Sequence, residues 1–510
     1  MMKQWILLTG LLAFLWTGNV AARQRQVDLS GELYVRAEIK ESLFDLPVGT
    51  PMLIRQVVKI TGSQALESGI YYVADAMGIQ HPLSELELAS VRLLPPESDQ
   101  EFWQQAYLKG HMYHYFYNNG YRNELRQEVE EECQDYLREL EEIAYQDDYL
   151  TSYVQGVFAK LHTSTIDANR IESLNVRLIQ SPDPDAYMLP NGAMLISTGL
   201  LCTVDSEDEL AAVIACELGH FVLDHQVDNI RRAEQRANRA EFWANVLGAV
   251  AVVAEEDGDW TGDRSSYAVS AMAGVGCIAA LLSAPAVDRL GMRYKTQQEV
   301  QADRLACDLL AFKGYNPAAI ASALSKIAAY YEQSHRTKDM VRYNSLADLQ
   351  KRIEKAGSSD GCQPQRSYLK KTSDVVTFNA LMKFNAKRYQ EALRTAKKNV
   401  ENRLATDNDY VILVKSNMAL VNSEEANRQC MEWLDTAQEL AGDSPNLEIQ
   451  KQRVLLLLRM DKQMQAGHVL EEYLQLLEQY QSQGIEGEEK EWTEKEMAWS
   501  RQILGKIRRI

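Results

Sequence analysis

Cys216, Glu217 and His220 fall within a five-residue span and could act together in metal-assisted hydrolysis. They stand in the run Glu209-Leu-Ala-Ala-Val-Ile-Ala-Cys-Glu-Leu-Gly-His-Phe-Val-Leu-Asp-His225. Residues four apart on an α-helix project from one face, so Cys216 and His220 reach a common point while Glu217 sits one step round. That is a metal-site geometry. A zinc-dependent hydrolase needs two such ligands, a third from another element, an open position for water and a carboxylate beside that water to take its proton. Glu217 suits the last role. Its helical neighbours Val213, Ile214 and Phe221 are apolar, and an unsatisfied polar group in such a stripe costs on the order of 2–7 kcal/mol. Function accounts for it better than packing does. Taken alone, His220 reads more often as a satisfied core histidine, and His225, about 140° round a continuous helix, is expected outside the site.

The elements that must position these groups are legible around them. Ser206-Glu-Asp-Glu209 is a capping-box pattern opening a helix that runs through His220 to about Ala240. Two apolar stretches follow, Phe242–Ala254 and the charge-free Ser265–Val287, separated by Glu255-Glu-Asp-Gly-Asp. The second is long enough to span a bilayer, but it is rich in Ala, Gly and Ser, contains Pro285, and its partner is too short to cross. A packed helical hairpin covering the site is expected, and membrane association is not favoured. A further helix begins near Thr296 and stops at Gly314, before Asn316-Pro317.

These motifs together resemble the CAAX-prenyl-protease and HtpX-type zinc metallopeptidases, which carry HExxH followed by a distant ExxAD. Here the first motif reads Cys216-Glu-Leu-Gly-His220, and Glu299-Val-Gln-Ala-Asp303 supplies the second, continued by Arg304 to Pro317. The resemblance covers roughly Leu150 to Gly357. It implies a zincin-like domain with one zinc ion on Cys216, His220 and Glu299, water activated by Glu217, and Asp303 orienting the first ligand. It also implies a substrate strand through Leu189, Pro190, Asn191 and Gly192, where an extended peptide would add by β-augmentation. Thr296-Gln-Gln-Glu299 also matches a capping box, in which Glu299 would turn back to the helix start.

Three departures from the family pattern stand in the sequence: Cys216 in place of histidine, Thr296 in place of the usual arginine, and loss of Ser/Thr-His-Pro near Asn344-Ser345-Leu346, although Arg352-Ile353 remains. Thiolate can hold zinc, but its charge makes the metal a weaker Lewis acid, so its water keeps a pKa above the ~7 of efficient zinc hydrolases. Reduced or lost turnover follows.

The rest of the chain bounds the setting. At 510 residues it exceeds one hydrophobic core. A net charge of −18 disfavours nucleic acid and anionic lipid as partners. Lys3, the apolar run Trp5–Trp16 and Val20-Ala-Ala22 have the order of a cleavable signal peptide, so a periplasmic or secreted location is expected. The seven scattered cysteines form no disulfide framework. Alternating apolar residues mark a small β-rich domain over 27–96, faintly similar to bacterial SH3-like modules. Gly357-Ser-Ser-Asp-Gly361 with Pro364 reads as a linker, and beyond it Ala380, Phe384, Tyr389 and Ala392 have the spacing of a tetratricopeptide repeat.

The expectation is therefore a mainly α protein with a small β part: signal peptide 1–22, β-rich module 27–96, metallopeptidase domain 97–356 with the hairpin 242–287, linker 357–367 and C-terminal α-helical TPR-like repeats 368–510. Two functions compete. One is an exported zinc metalloendopeptidase acting on protein or peptide substrates in envelope protein quality control. The other is a catalytically impaired pseudopeptidase that binds a protein partner through its peptidase fold and C-terminal helical repeats.

Overall fold

The computed structural model describes residues 26–61, 69–110, 130–131, 133, 137–138, 140–162, 175–234, 290–336, 340, 342–343, 345–359, 361–442 and 446–508. The signal-peptide expectation and the hairpin 242–287 lie outside the described residues. The chain divides into two compact units, Met1–Gln127 with His162–Arg170, and Glu128–Leu161 with Ile171–Ile510.

In the first unit, β1 (Gln26–Ile39), β2 (Pro51–Thr61), β3 (Gly69–Ala76), β4 (Ile79–Ser84) and β5 (Val91–Leu93) form one antiparallel sheet in the order β4-β3-β2-β1-β5. The period-2 alternation puts Leu33, Val35, Ala37 and Ile39 on one face, buried with Ile54, Tyr72 and Leu83. Helix α1 (Asp99–Lys109) packs on β1, where Arg36 donates from its backbone N and Nε to Glu101 Oε1 at 3.0 and 3.1 Å. The β module thus extends past residue 96 to include this helix.

The second unit is mainly helical, with a three-stranded sheet. β6 (Val176–Ile179) runs parallel to β8 (Met194–Ser197), and β7 (Ala186–Met188) lies antiparallel on the far side of β8 as an edge strand. Around the sheet stand α2 (Asp148–Leu161), α3 (Thr198–Thr203), α4 (Glu207–Val222), α5 (His225–Glu234), α6 (Thr296–Lys313), α7 (Ala319–Gln333) and α8 (Leu346–Ala356). Ser206 caps α4, its Oγ accepting from Glu209 N at 3.2 Å. α6 ends at Gly314 in the left-handed conformation, φ 77°, as the glycine before Asn-Pro leads one to expect.

Helices α4 and α6 pack along each other. Their close approach depends on Gly219, because a Cβ there would lie 3.0 Å from Ala302 O and 3.1 Å from Ala302 Cα. The glycine between Glu217 and His220 brings the two motif-bearing helices together.

The C-terminal region continues as α9 (Arg366–Asn385), α10 (Tyr389–Glu401), α11 (Asp407–Leu420), α12 (Glu424–Ala441), α13 (Leu447–Arg459), α14 (Gln463–Ser482) and α15 (Gly487–Ile507), each packed on the next. The predicted linker is not a seam in packing. Tyr368 donates to Leu201 O at 3.0 Å, Thr198 to Asn379 Oδ1 at 3.4 Å and Cys202 to Val375 O at 3.3 Å, all buried. Asp183, beside the sheet, accepts from Tyr330 (2.7 Å), Arg336 (2.6 Å) and Arg388 (3.1 Å), joining α7 to the segment that precedes α10.

Candidate functional site

Helix α4 is buried along its inner length: Cys216, Glu217 and His220 are each no more than 4% exposed. Across from them α6 presents Glu299 and Asp303. The N-cap residue of α6 is Lys295, whose backbone N donates to Gln298 Oε1 at 2.9 Å, so Gln298 does the reciprocal capping that the sequence offers to Glu299. Glu299 is left to face the centre, where its Oε2 lies 3.2 Å from His220 Nε2. Asp303 lies beside Cys216, with Sγ to Oδ1 at 3.3 Å.

The structure therefore brings together five residues singled out by sequence, Cys216, Glu217, His220, Glu299 and Asp303. It adds three that the sequence pattern does not place there. The first is Arg342, fully buried, whose Nη1 donates to Glu299 Oε1 at 2.8 Å and whose Nε and Nη2 both donate to Glu217 Oε1, the former at 2.9 Å. The second is Tyr294, stacked on His220 with ring centroids 3.5 Å apart and with the Arg342 guanidinium 4.7 Å from its own centroid.

The third is His225. The sequence predicts one helix from Ser206 to about Ala240, but α4 stops at Val222, Asp224 takes a left-handed φ of 54°, and α5 starts at His225. That break cancels the 140° offset of a continuous helix and returns His225 to the site, its Nδ1 3.0 Å from His220 Nδ1. Aspartate tolerates the left-handed region better than most residues, and that is the only local signal of the turn.

Arg352, on α8, completes the charge arrangement. It donates to both oxygens of Asp303, at 2.9 and 2.7 Å, and to Glu299 Oε2 at 2.8 Å. Burial alone would raise Glu299, but Arg352, Arg342 and His220 hold it well below the usual carboxylate range. Glu217 is raised instead: burial dominates, and Arg342 offsets it only in part. Its Oε2 is buried with no hydrogen-bond partner among the described residues. Burial and the neighbouring Asp303 push the Cys216 thiol well above its ordinary range. Burial holds His220 and His225 neutral, the latter lowered to about 4.

Two neutral imidazoles facing Nδ1 to Nδ1 share one proton between them. Because Glu299 is anionic, His220 must present an N–H to it from Nε2. His220 Nδ1 faces His225 Nδ1 at 3.0 Å, and Gln301 Oε1 lies 3.2 Å from His225 Nε2.

These observations test whether zinc suits the arrangement. Among the described residues no three His, Cys, Asp or Glu side chains converge in a geometry that could hold a metal ion. The reasons are physical: a guanidinium bridges the two glutamates, His220 Nε2 is used as a donor, and Cys216 is a thiol aimed at a carboxylate. As arranged here, the donor set does not fit a divalent cation. The space lined by Cys216, Glu217, Tyr343 and Arg352 measures about 10 Å³, the size of a single water site.

The expected substrate segment forms the turn between β7 and β8, with Gly192 N donating to Leu189 O at 2.9 Å. Leu189, Pro190, Asn191 and Gly192 are buried, and Gln226 Nε2 donates to Met188 O at 3.1 Å.

Residues 148–357 match the family model of peptidase family M48. That segment is an M48-type, zincin-like domain. The beta-barrel assembly-enhancing protease of Escherichia coli O157:H7 is 26% identical over 217 residues, 42% of this chain and 40% of that protein. Metalloprotease LoiP of Escherichia coli K12 is 25% identical over 195 residues, 37% of this chain and 65% of LoiP. The mitochondrial metalloendopeptidase OMA1 of Bos taurus is 29% identical over 110 residues, 19% and 21% of the two chains. The chain thus spans about two fifths of the first relative's length. Among the described residues, no helix is long and apolar enough to cross a membrane.

Proposed function

We propose that this protein is an exported, non-hydrolytic member of the M48 fold that binds unfolded or assembling polypeptides, with its C-terminal helical repeats carrying the partner surface. The observation that carries the reading is Arg342, whose guanidinium lies between Glu217 and Glu299 where a hydrolase needs metal and water. The Cys216 thiol and the small space beside it point the same way. In the repeats, a cavity of about 630 Å³ is lined by Phe378, Leu381, Val411, Tyr480 and Trp492 with acidic Asp374 and Asp407 at its margin, which suits a peptide with an apolar side chain. The name of the beta-barrel assembly-enhancing relative suggests an envelope assembly process as the setting.

A second reading, zinc metalloendopeptidase, is favoured by one observation: His220 and Glu299 meet at 3.2 Å across two helices, with Glu217 one step away. Incubating the purified protein with unfolded casein and zinc separates the two. Saturable binding without cleavage supports the proposal. Zinc-dependent cleavage that Glu217→Gln abolishes would replace it with the enzyme. N-terminal sequencing of the exported form tests export, with a mature start near Arg23 expected.

A further inference from the structure

A cavity of about 540 Å³ opens where α9 and α10 meet α7 and the end of α3, and it shares no residue with the α4–α6 centre. Its size is that of a small-molecule pocket. Arg394, Thr395 and Lys398 recur at helical spacing along α10, so one face of that helix lines the cavity, together with Lys383 of α9 and Lys326 and Tyr330 of α7.

Most of the charges around it are matched within the protein. Asp205 takes Lys326 at 2.5 Å and Lys398 at 2.6 Å, and Glu391 accepts from Arg388 Nε at 2.9 Å. Lys383 and Arg394 are different: among the described residues neither has a carboxylate partner. Lys383 is only 3% exposed, and its Nζ donates to Thr395 Oγ1 at 3.0 Å and lies 5.0 Å from the centre of the Tyr330 ring. An ammonium has three N–H donors, so two are committed to no described residue. Arg394, partly exposed and next to Thr395 in the chain, uses only Nη1, on Gln333 O and Oε1 at 3.2 Å.

A buried ammonium without a counter-ion is costly, and an anion is the group that both cations lack. Setting the exposed Glu401 at the cavity against these two cations leaves one net positive charge, which suits a monoanion better than a phosphate. A carboxylate also offers two oxygens, one for the ammonium and one for the guanidinium fork. Ala329, the Tyr330 ring and Pro364 add an apolar wall. We propose that this cavity is a binding site for the carboxylate of a ligand with a small apolar body, held by Lys383 and Arg394. A free carboxylic acid and the C-terminus of a polypeptide share that chemistry. The polypeptide source would serve the proposed binding function, yet the site stands apart from it, since casein binding and cleavage decide that reading and not this one.

Calorimetric titration of the full chain at pH 7 tests the site with four probes: N-acetyl-Ala-Leu with a free carboxylate, the same dipeptide as its amide, butyrate, and inorganic phosphate. The free-carboxylate dipeptide is expected to bind once per chain, and the amide and phosphate not to bind. A dipeptide tighter than butyrate assigns the site to polypeptide C-termini, and butyrate as tight as the dipeptide assigns it to free acids. Lys383→Met should weaken binding by about 10- to 100-fold and Arg394→Gln by about tenfold, the range for hydrogen bonds to charged groups. Without ligand, Lys383→Met should melt level with the wild type or above it, because methionine fills the volume and removes a charge that burial penalises. Burial, with Arg388 adding to it and Cys202, Glu391 and Asp183 opposing it, lowers Lys383 to about 8, so the affinity should fall about tenfold between pH 7 and pH 9 as the ammonium loses its proton.

Equal binding of acid and amide overturns the assignment, as does binding of neither dipeptide nor butyrate, or a preference for phosphate. Wild-type affinity in Arg394→Gln overturns it too. A fall of several degrees in the melting temperature of Lys383→Met would make Lys383 a structural cation instead.

Discussion

Neutralising Glu299 and neutralising Glu217 should have opposite consequences, although the two carboxylates share Arg342. Glu299 meets Arg342 at 2.8 Å, Arg352 at 2.8 Å and His220 at 3.2 Å. Glu299→Gln takes from Arg342 and Arg352 the carboxylate they share, leaving each with one carboxylate, Glu217 and Asp303 respectively, and breaking a buried pair from one side costs about 3–5 kcal/mol. For a cooperative unit of roughly 370 residues, with an unfolding entropy near 2 cal/mol/K per residue, that is a fall in melting temperature of about 4–6 °C.

Glu217 has one cationic partner and one buried oxygen without any among the described residues, and its carboxyl is raised above the usual range. Glu217→Gln removes a charge that burial already disfavours, so its melting temperature should stay level or rise. Differential scanning calorimetry of the two variants at neutral pH in chelator decides the matter. Equal losses for both, or a larger loss for Glu217→Gln, would refute this charge assignment.

Further outcomes are expected elsewhere. Burial raises Asp183, yet Arg388, Arg336 and Tyr330 hold it below its ordinary value, so the stability it contributes is present above the unfolded pKa of about 3.9 and lost as pH falls through the lower folded value; urea melts near pH 6 and near pH 3 should differ less in Asp183→Asn. Iodoacetamide near pH 8 should label exposed Cys307 in the native protein, and buried Cys216, whose thiol is raised further, only after unfolding. Gly219→Val forces a side chain onto Ala302 and should destabilise the protein by about 1–3 kcal/mol in denaturant melts, with His220 and Glu299 drawn apart.

Helices α4 and α6 and the five residues they carry are legible in the sequence because helical spacing projects chemistry onto a face, and that relation is local. The left-handed stop at Gly314 is legible for the same reason. The choice between capping and facing the site stays open at Glu299, since Gln298 and Glu299 are adjacent and only the turn of the chain before Lys295 selects between them. The break at Asp224 is hidden because polar and apolar residues keep a helical rhythm across it, so a continuous helix puts His225 on the wrong side. Arg342 carries no signal at all: it lies in a short connection among other charged residues, where an arginine reads as solvated. Only the convergence of α4, α6 and α8 makes it central.

The hydrogen bonds across the predicted linker also bear on how the chain can be cut. Tyr368, Asn379 and Val375 on α9 satisfy polar groups of α3, while Lys398 on α10 holds Asp205 at 2.6 Å, immediately before the cap of α4. A fragment ending at residue 357 would therefore carry unsatisfied polar groups, among them Leu201 O and the Cys202 thiol, and a bare apolar face, and should aggregate instead of folding. In the whole protein the same joints fix the C-terminal helices to the root of α4. Through that pair α10 is anchored to the residue just before the cap of the helix bearing Glu217 and His220.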